Sequence, residues 1–342
     1  MKDIIKKEYL LFSLQIITDV ILFFSVSIRM FAEIQNMMTS TQRIYQYTQL
    51  ESEDELTKPG DKKIKEAGWP QKGKIDFEDI VMKYRPSMEP SIRGLSCSIQ
   101  PGMKIGIVGR TGAGKSSILQ VLFRLSESCE GSLKIDDVNI KDLGLHLLRK
   151  NIAYIPQSPF MIQGSIRENL DPFDEYSDDT IHQTLKEVAL HEHITKNCEN
   201  GLMTMISESN NVFSVGQKQL LCLARAIIRK TKMLVLDEAT ANVDLETDNF
   251  IQDKLKSSFK DCTVMIIAHR LATIIDSDRV LVMDQGYGKE FDHPFKLLTN
   301  NDTDTTITKT NDDGEEGSFA RMVKATGEDT SQQLFNIAQA HY

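Results

Sequence analysis

From Tyr9 to Phe31 the chain is nearly continuously apolar, broken by Gln15, Thr18, Asp19 and Arg29. That length predicts a helix able to cross a bilayer, which takes about 20 residues. Asp19 at mid-span would cost about 2.5–3.5 kcal/mol on insertion scales, tolerable if it faces other helices or a water-filled path. A buried helix of a soluble protein is the competing reading. From Ala32 to Leu50 the pattern turns amphipathic: Ile34, Met37, Met38, Ile44 and Tyr47 fall near helical spacing among Glu33, Gln35, Gln42 and Arg43. It predicts a cytosolic extension of the same helix. Glu51 to Gly73 is charged and carries Pro59, Gly60, Gly68 and Pro70, the pattern of a linker.

A globular pattern follows. Ile75, Phe77 and Ile80 alternate with acidic residues, as in a half-exposed strand. Leu95 to Ile99 and Leu133 to Ile135 predict further short strands. Lys104 to Val108, Met233 to Leu236 and Thr263 to Ala268 are apolar runs suited to parallel strands buried on both faces. Val280 to Met283 predicts one more. Helical spacing marks Ser117 to Leu125, Leu143 to Arg149 and Asp178 to Leu190. Strands and helices alternate, so the fold class is α/β with a mostly parallel core. Thr299 to Gly317 is rich in Asn, Asp, Thr and Gly and cannot bury enough apolar surface to fold alone. Ser318 to Tyr342 predicts a pair of short helices. The expected boundaries are residues 1–50 for the helix and its extension, 51–72 for the linker, 73–299 for the globular domain, 300–317 for the acidic insert and 318–342 for the tail.

Charge and cysteine usage narrow the classes. With 40 basic and 49 acidic side chains, net −9, the chain does not present the basic balance that nucleic-acid binding needs. Cys97, Cys129, Cys198, Cys222 and Cys262 are isolated, with no C-x-x-C pair, and read as buried thiols in a reducing compartment. The first apolar stretch is too long for a cleavable signal peptide, and no small-residue cleavage site follows it.

The chemistry begins at Gly109-Arg110-Thr111-Gly112-Ala113-Gly114-Lys115-Ser116, which fits G-x-x-x-x-G-K-[ST] between an apparent strand and helix. The glycines let backbone amides turn toward phosphate oxygens, and the helix N-terminus adds its positive end. Lys115 is placed to reach the β- and γ-phosphates and Ser116 to hold Mg²⁺. A second element, Met233 to Glu238, ends an apolar run in two acids. Asp237 there can reach Mg²⁺, and Glu238 is placed to polarise an attacking water. A helix N-cap is the plainer role for Asp237. A third element, Phe213-Ser214-Val215-Gly216-Gln217, opens a helix through Leu220, Leu221, Leu223, Ala224 and Ile227. Ser214 is a good N-cap. Gly216 is unfavourable in a helix, unless a phosphate must approach the backbone there.

In this order the elements resemble the nucleotide-binding domain of an ABC transporter. The wording at Gly109–Ser117, Asn169–Phe173, Ser214–Arg229, Leu236–Asp248 and Ala268–Leu271 is closest to the second such domain of the multidrug-resistance-associated subfamily. The likeness runs from about Ser25 to Leu298. It implies a P-loop NTPase with a mostly parallel core sheet, a small antiparallel β-subdomain and a helical subdomain bearing the signature. It implies ATP and Mg²⁺ as cofactors, with nucleotide contacts from Tyr84 on the adenine and from Gly109, Arg110, Thr111, Gly112, Ala113, Gly114, Lys115, Ser116 and Ser117 on the phosphates. Gln157 would touch Mg²⁺ and the attacking water and couple to the membrane helices; His269 would contact the γ-phosphate. Ser214, Gly216 and Gln217 would cover ATP held by another nucleotide-binding domain, and Asp244 would help join the two. The metal set is then Ser116, Gln157 and Asp237, and the catalytic set Glu238, His269, Lys115 and Gln157.

Some positions depart from the pattern. Phe213 stands where the signature has leucine, Val215 where it has glycine, and residues 207–211 read Ser-Glu-Ser-Asn-Asn in place of a glycine-rich lead-in. A bulkier signature should stabilise the partner's phosphates less well. The combination of an intact Glu238 and His269 with a weakened signature fits a subfamily whose two ATP sites are unequal. The implied function is ATP hydrolysis driving an exporter, of organic anions or conjugates, in a membrane with the nucleotide-binding domain in the cytoplasm and the membrane domains as partners. One membrane helix is fewer than an exporter half needs, which suggests a fragment, an incomplete product or a subunit with borrowed membrane domains. Lys2, Lys6 and Lys7 would hold the N-terminus in the cytosol, and one crossing cannot then also leave the ATP-binding part there. The alternatives are a nucleotide-sensing regulatory domain of a channel or receptor, a truncated non-transporting fragment, and a soluble ATPase acting on ribosomes or DNA, against which the acidic charge counts.

Overall fold

A computed structural model describes residues 7–50, 52–126, 129–207, 212–237, 243–268, 270–300, 306–309 and 316–342. The chain divides into two compact units, Met1–Glu53 and Asp54–Tyr342. The first is built on helix α1, Lys7–Thr48, of 42 residues. At 1.5 Å per residue it is about 60 Å long. It is long and apolar enough to cross a membrane, and within the unit its apolar side chains are exposed. The hydroxyls of Ser13, Thr18 and Ser25 donate to carbonyls one turn back, which satisfies them without solvent.

The second unit begins at Asp54, ahead of the boundary expected at residue 73. Residues 54–72 pack against it through polar groups that the pattern of apolar positions does not display. Helix α2, Asp61–Glu66, follows an Asp54–Arg124 ion pair of 2.5 Å. Leu145 and His146 donate their amides to the carbonyls of Glu55 and Leu56. The Trp69 side chain is buried and donates from Nε1 to the Ile135 carbonyl at 2.9 Å. Strand β1, Ile75–Met82, then enters a four-stranded antiparallel sheet with β2 (Ile92–Ile99), β4 (Cys129–Ile135) and β5 (Val138–Asn139) in the order β2-β1-β4-β5. The alternation of Ile75 and Phe77 slips before Ile80 because the register shifts between Phe77 and Ile80, with Asp79 at a φ of 49°.

The central sheet has six strands. Strand β3, Lys104–Gly109, lies between β10 (Thr263–Ile267) and β11 (Arg279–Asp284); β9 (Met233–Asp237) and β6 (Ile152–Ile155) extend the parallel side, and β12 (Tyr287–Asp292) closes the other edge antiparallel to β11. Its two faces feed different cores. Ile105, Ile107, Ile152, Met233, Val235, Met265 and Ile267 face helix α3 (Lys115–Leu122) and the small sheet. Val108, Ala153, Ile155, Leu234, Leu236 and Ile266 face the helical layer on the other side. Such two-sided burial is why these strands read as unbroken apolar runs. Helix α3 stops at Leu122, three residues short of the expected end at Leu125, which is half exposed. Arg124 turns left-handed there, at φ 48°, and its buried guanidinium donates to the carbonyls of Ile140 and Leu143 at 3.1 and 3.0 Å. A buried charge needs those partners, and they hold the chain out of the helix.

The helical layer follows α4 (Leu145–Lys150), with a two-residue ribbon of β7 (Gly164–Ser165) and β8 (Met205–Ile206). It comprises α5 (Ile166–Leu170), α6 (Asp178–Glu187), α7 (His191–Asn197) and the longer α8 (Val215–Arg229). Helix α9, Leu245–Ser258, joins β9 to β10. After β12 come α10 (Pro294–Leu298), α11 (Ser318–Lys324) and α12 (Glu328–Ala340). Phe319, Val323, Leu334 and Phe335 of this tail are buried in the same core as α8.

Candidate functional site

The loop 109–116 is set by what surrounds it. Strand β3 ends at Gly109, where a Cβ would stand 2.2 Å from the Met283 carbonyl oxygen of β11. Gly114 caps α3 at φ 100°, and a Cβ there would meet the Ser91 carbonyl oxygen at 2.6 Å. No other residue fits either place without moving backbone. Lys115 is 6% exposed, and its Nζ donates to the carbonyls of Gly109 at 2.7 Å and Arg110 at 3.1 Å. The ammonium is therefore held over the loop's own backbone at the N-terminus of α3. Arg110, Thr111, Gly112 and Ser116 are exposed, while Ala113, Gly114 and Ser117 are buried. Tyr84, in the loop after β1, has a half-exposed ring whose hydroxyl pairs with Ser117 Oγ at 3.1 Å. It is tied to the loop helix and is not packed inside the small sheet.

Asp237 ends β9. The strand's alternation puts it on the side of Met233 and Val235, which is the side that carries α3. It does not cap α9, whose N-cap is Asp244. The hydroxyl of Tyr154, in β6, donates to Asp237 Oδ2 at 3.3 Å. Burial, then the Asp237 charge and hydrogen bond, push the Tyr154 phenol up to about 12. Tyr154 carries no motif, and the sequence pattern alone passes over it; its parity with Ile152 on a strand beside β9 is the signal that marks it. Gln157, two residues past β6, is exposed, and Gln219 of α8 donates to the neighbouring Pro156 carbonyl at 3.0 Å. Glu238 and His269 lie outside the described residues.

The signature opens α8. The Ser214 hydroxyl accepts from the Gln217 amide at 3.2 Å, and Gln217 Oε1 accepts from the Ser214 amide at 2.9 Å, a reciprocal cap. Gln217 also donates from Nε2 to His193 Nδ1 at 3.1 Å, a support from α7 that the sequence did not mark. A Cβ on Gly216 would meet only ordinary contacts, 3.6 Å from Thr247 Cγ2 and Val243 Cγ1 and 3.7 Å from Asp244 Oδ1. Among the described residues, nothing requires glycine there. Asp244 accepts from the Thr247 amide at 3.0 Å and from its hydroxyl at 2.9 Å; these hydrogen bonds, the amide first, lower its pKa. The structure thus brings Tyr84, the 109–117 loop and the end of β9 to the sheet face carrying α3, and Ser214, Gly216, Gln217 and Asp244 together beside α8. The two groups belong to elements packed on opposite faces of the sheet.

Residues 92–241, which hold the loop, the signature and the end of β9, match the family model described as ABC transporter. The chain belongs to the ABC transporter family. It is 47% identical over 314 residues to a probable multidrug resistance-associated protein of Drosophila melanogaster, lethal(2)03659, covering 91% of this chain and 22% of that protein. It is 43% identical over 319 residues to human ATP-binding cassette sub-family C member 4, covering 93% of this chain and 23% of the relative. It is 44% identical over 274 residues to the metal resistance protein YCF1 of Saccharomyces cerevisiae, covering 80% of this chain and 18% of the relative. The chain therefore spans about a fifth of the length of these curated relatives. The branch is the multidrug-resistance-associated one, subfamily C, whose ATP-binding domain the described fold carries. Members of the family are ATPases coupled to transport.

Proposed function

We propose that this chain binds ATP with Mg²⁺ and hydrolyses it as one nucleotide-binding domain, the second, of an ABC exporter. The observation that carries the reading is the loop: a buried Lys115 docked on the Gly109 and Arg110 carbonyls, at a helix N-terminus, beside an exposed Ser116. Amides and a fixed ammonium in that arrangement suit a triphosphate. The donor set suits Mg²⁺ as well: the Ser116 hydroxyl, the Asp237 carboxylate and the Gln157 side-chain oxygen are hard oxygen ligands, and when bound the ion would neutralise charge on the phosphates. Tyr84 offers a ring for the adenine. Glu238 is the base that orients water, and His269 steadies the γ-phosphate; both roles come from the sequence.

Ser214, Gly216 and Gln217 sit across the sheet from Lys115, so they serve ATP held by a partner domain. Two domains close on two nucleotides, Asp244 lies at the join, and closure moves membrane helices of which α1 is one. The domain works in the cytoplasm below a membrane, and organic anions or conjugates are the cargo class. The purified chain in detergent should retain ATP with Mg²⁺ when a matching partner domain is supplied. Glu238→Gln should keep that retention and suppress phosphate release by at least about a hundredfold. A chain that holds no ATP under those conditions overturns the reading, and unchanged turnover in the variant removes Glu238 as the base. Tight retention without turnover in the unaltered chain would favour a nucleotide-sensing domain instead.

A further inference from the structure

Tyr154 stands opposite Val235 in the parallel pairing of β6 with β9, and Asp237 follows Val235 by two positions. Both side chains therefore leave the same face of the sheet. The ring of Tyr154 also meets the ring of Phe123 edge-on, centroids 5.6 Å apart at 66°. Phe123 is the C-cap of α3, the helix whose first residues are Lys115 and Ser116. Arg149 holds that corner, donating from Nε to the Phe123 carbonyl at 3.0 Å and from Nη2 to the Arg124 carbonyl at 2.9 Å. The phenol is thus braced against the far end of the loop helix and reaches the carboxylate from the side.

We propose that Tyr154 is a positioning residue for Asp237, its hydroxyl fixing the rotation of the carboxylate that takes part in Mg²⁺ and ATP binding. This rests on the nucleotide reading given above. A donor on one carboxylate oxygen restrains the plane of the group, whose terminal torsion is intrinsically broad and two-fold. Ligating carboxylates that are themselves hydrogen-bonded bind metal more tightly, and loss of such a partner costs about 10–100-fold in affinity.

Tyr154→Phe removes the donor and keeps the ring and its contact with Phe123. ATP retention by the full chain is measured in EDTA and across a Mg²⁺ series. The Mg²⁺ concentration for half-maximal retention should rise about tenfold, with retention in EDTA unchanged. Placed on an Asp237→Asn background, the same change should have no further effect, since Tyr154 acts through that carboxylate. An unaltered Mg²⁺ series, a loss of retention in EDTA as well, or an undiminished effect on the Asp237→Asn background would each overturn the proposal and leave the tyrosine a packing residue. If the unaltered chain itself retains no ATP at any Mg²⁺ concentration, the nucleotide reading falls and this proposal falls with it.

Discussion

Asp276 shows how a carboxylate away from the candidate site earns its place. Burial opposes its ionisation, but Lys104 at 2.5 Å and Lys256 at 3.0 Å outweigh burial and lower its pKa below the ordinary 3.8. A group lowered in the folded state contributes stability that is fully present above the unfolded value and is lost as pH falls through the folded one. Asp276→Asn should therefore lower the urea midpoint by a constant amount across neutral pH. The gap from the unaltered protein should shrink below about pH 4. A gap that widens on acidification would reverse the assigned sign. Lys115 belongs to the same scale but to a different logic. Its ammonium is buried beside the Gly109 and Arg110 carbonyl oxygens at the start of α3, which fixes its place at the loop in the reading proposed above.

Helix α8 separates what stability needs from what the proposed clamp needs. Its reciprocal Ser214–Gln217 cap satisfies amides at the helix start. Gly216 does not serve stability: glycine costs about 1 kcal/mol relative to alanine inside a helix, and among the described residues its surroundings leave room for a methyl group. Gly216→Ala should leave the melting temperature of the free chain unchanged or raise it. It should also weaken ATP-driven association with a partner domain. A destabilised free chain would mean that the glycine serves this fold and not a partner. Strand β9 makes the complementary case. Its alternation was legible as an apolar run, and the parity of that run decides which side Asp237 faces. Which helix occupied that side was not legible, because nothing in the run names its neighbour.

The polypeptide as a whole is two units of different character. Asp54–Tyr342 carries the cores on both sheet faces, while α1 exposes its apolar side chains within its own unit. A chain shortened to begin at Asp54 should be soluble without detergent and melt cooperatively. One shortened to begin at residue 73 should lose several degrees of melting temperature, since it gives up Trp69 and the Asp54–Arg124 pair; burying an aromatic side chain alone is worth about 3 kcal/mol. Equal melting temperatures would show that residues 54–72 are passengers.

By itself the sequence determined the α/β class, the strands of the parallel core and the phosphate-loop, signature and Asp237 elements. Each depends on spacing within a few residues, on side-chain period or on a local backbone demand such as that at Gly114. Only the tertiary structure decided that Tyr154 meets Asp237, that Trp69 reaches Ile135, that α3 ends at Leu122 and that Gly216 meets no contact among the described residues that requires it. Those facts join residues 83 and 66 positions apart in the first two cases, or follow from where a buried guanidinium finds its carbonyls. Local periodicity says which face a side chain takes, and the packing of the sheet and helices says what is waiting on that face.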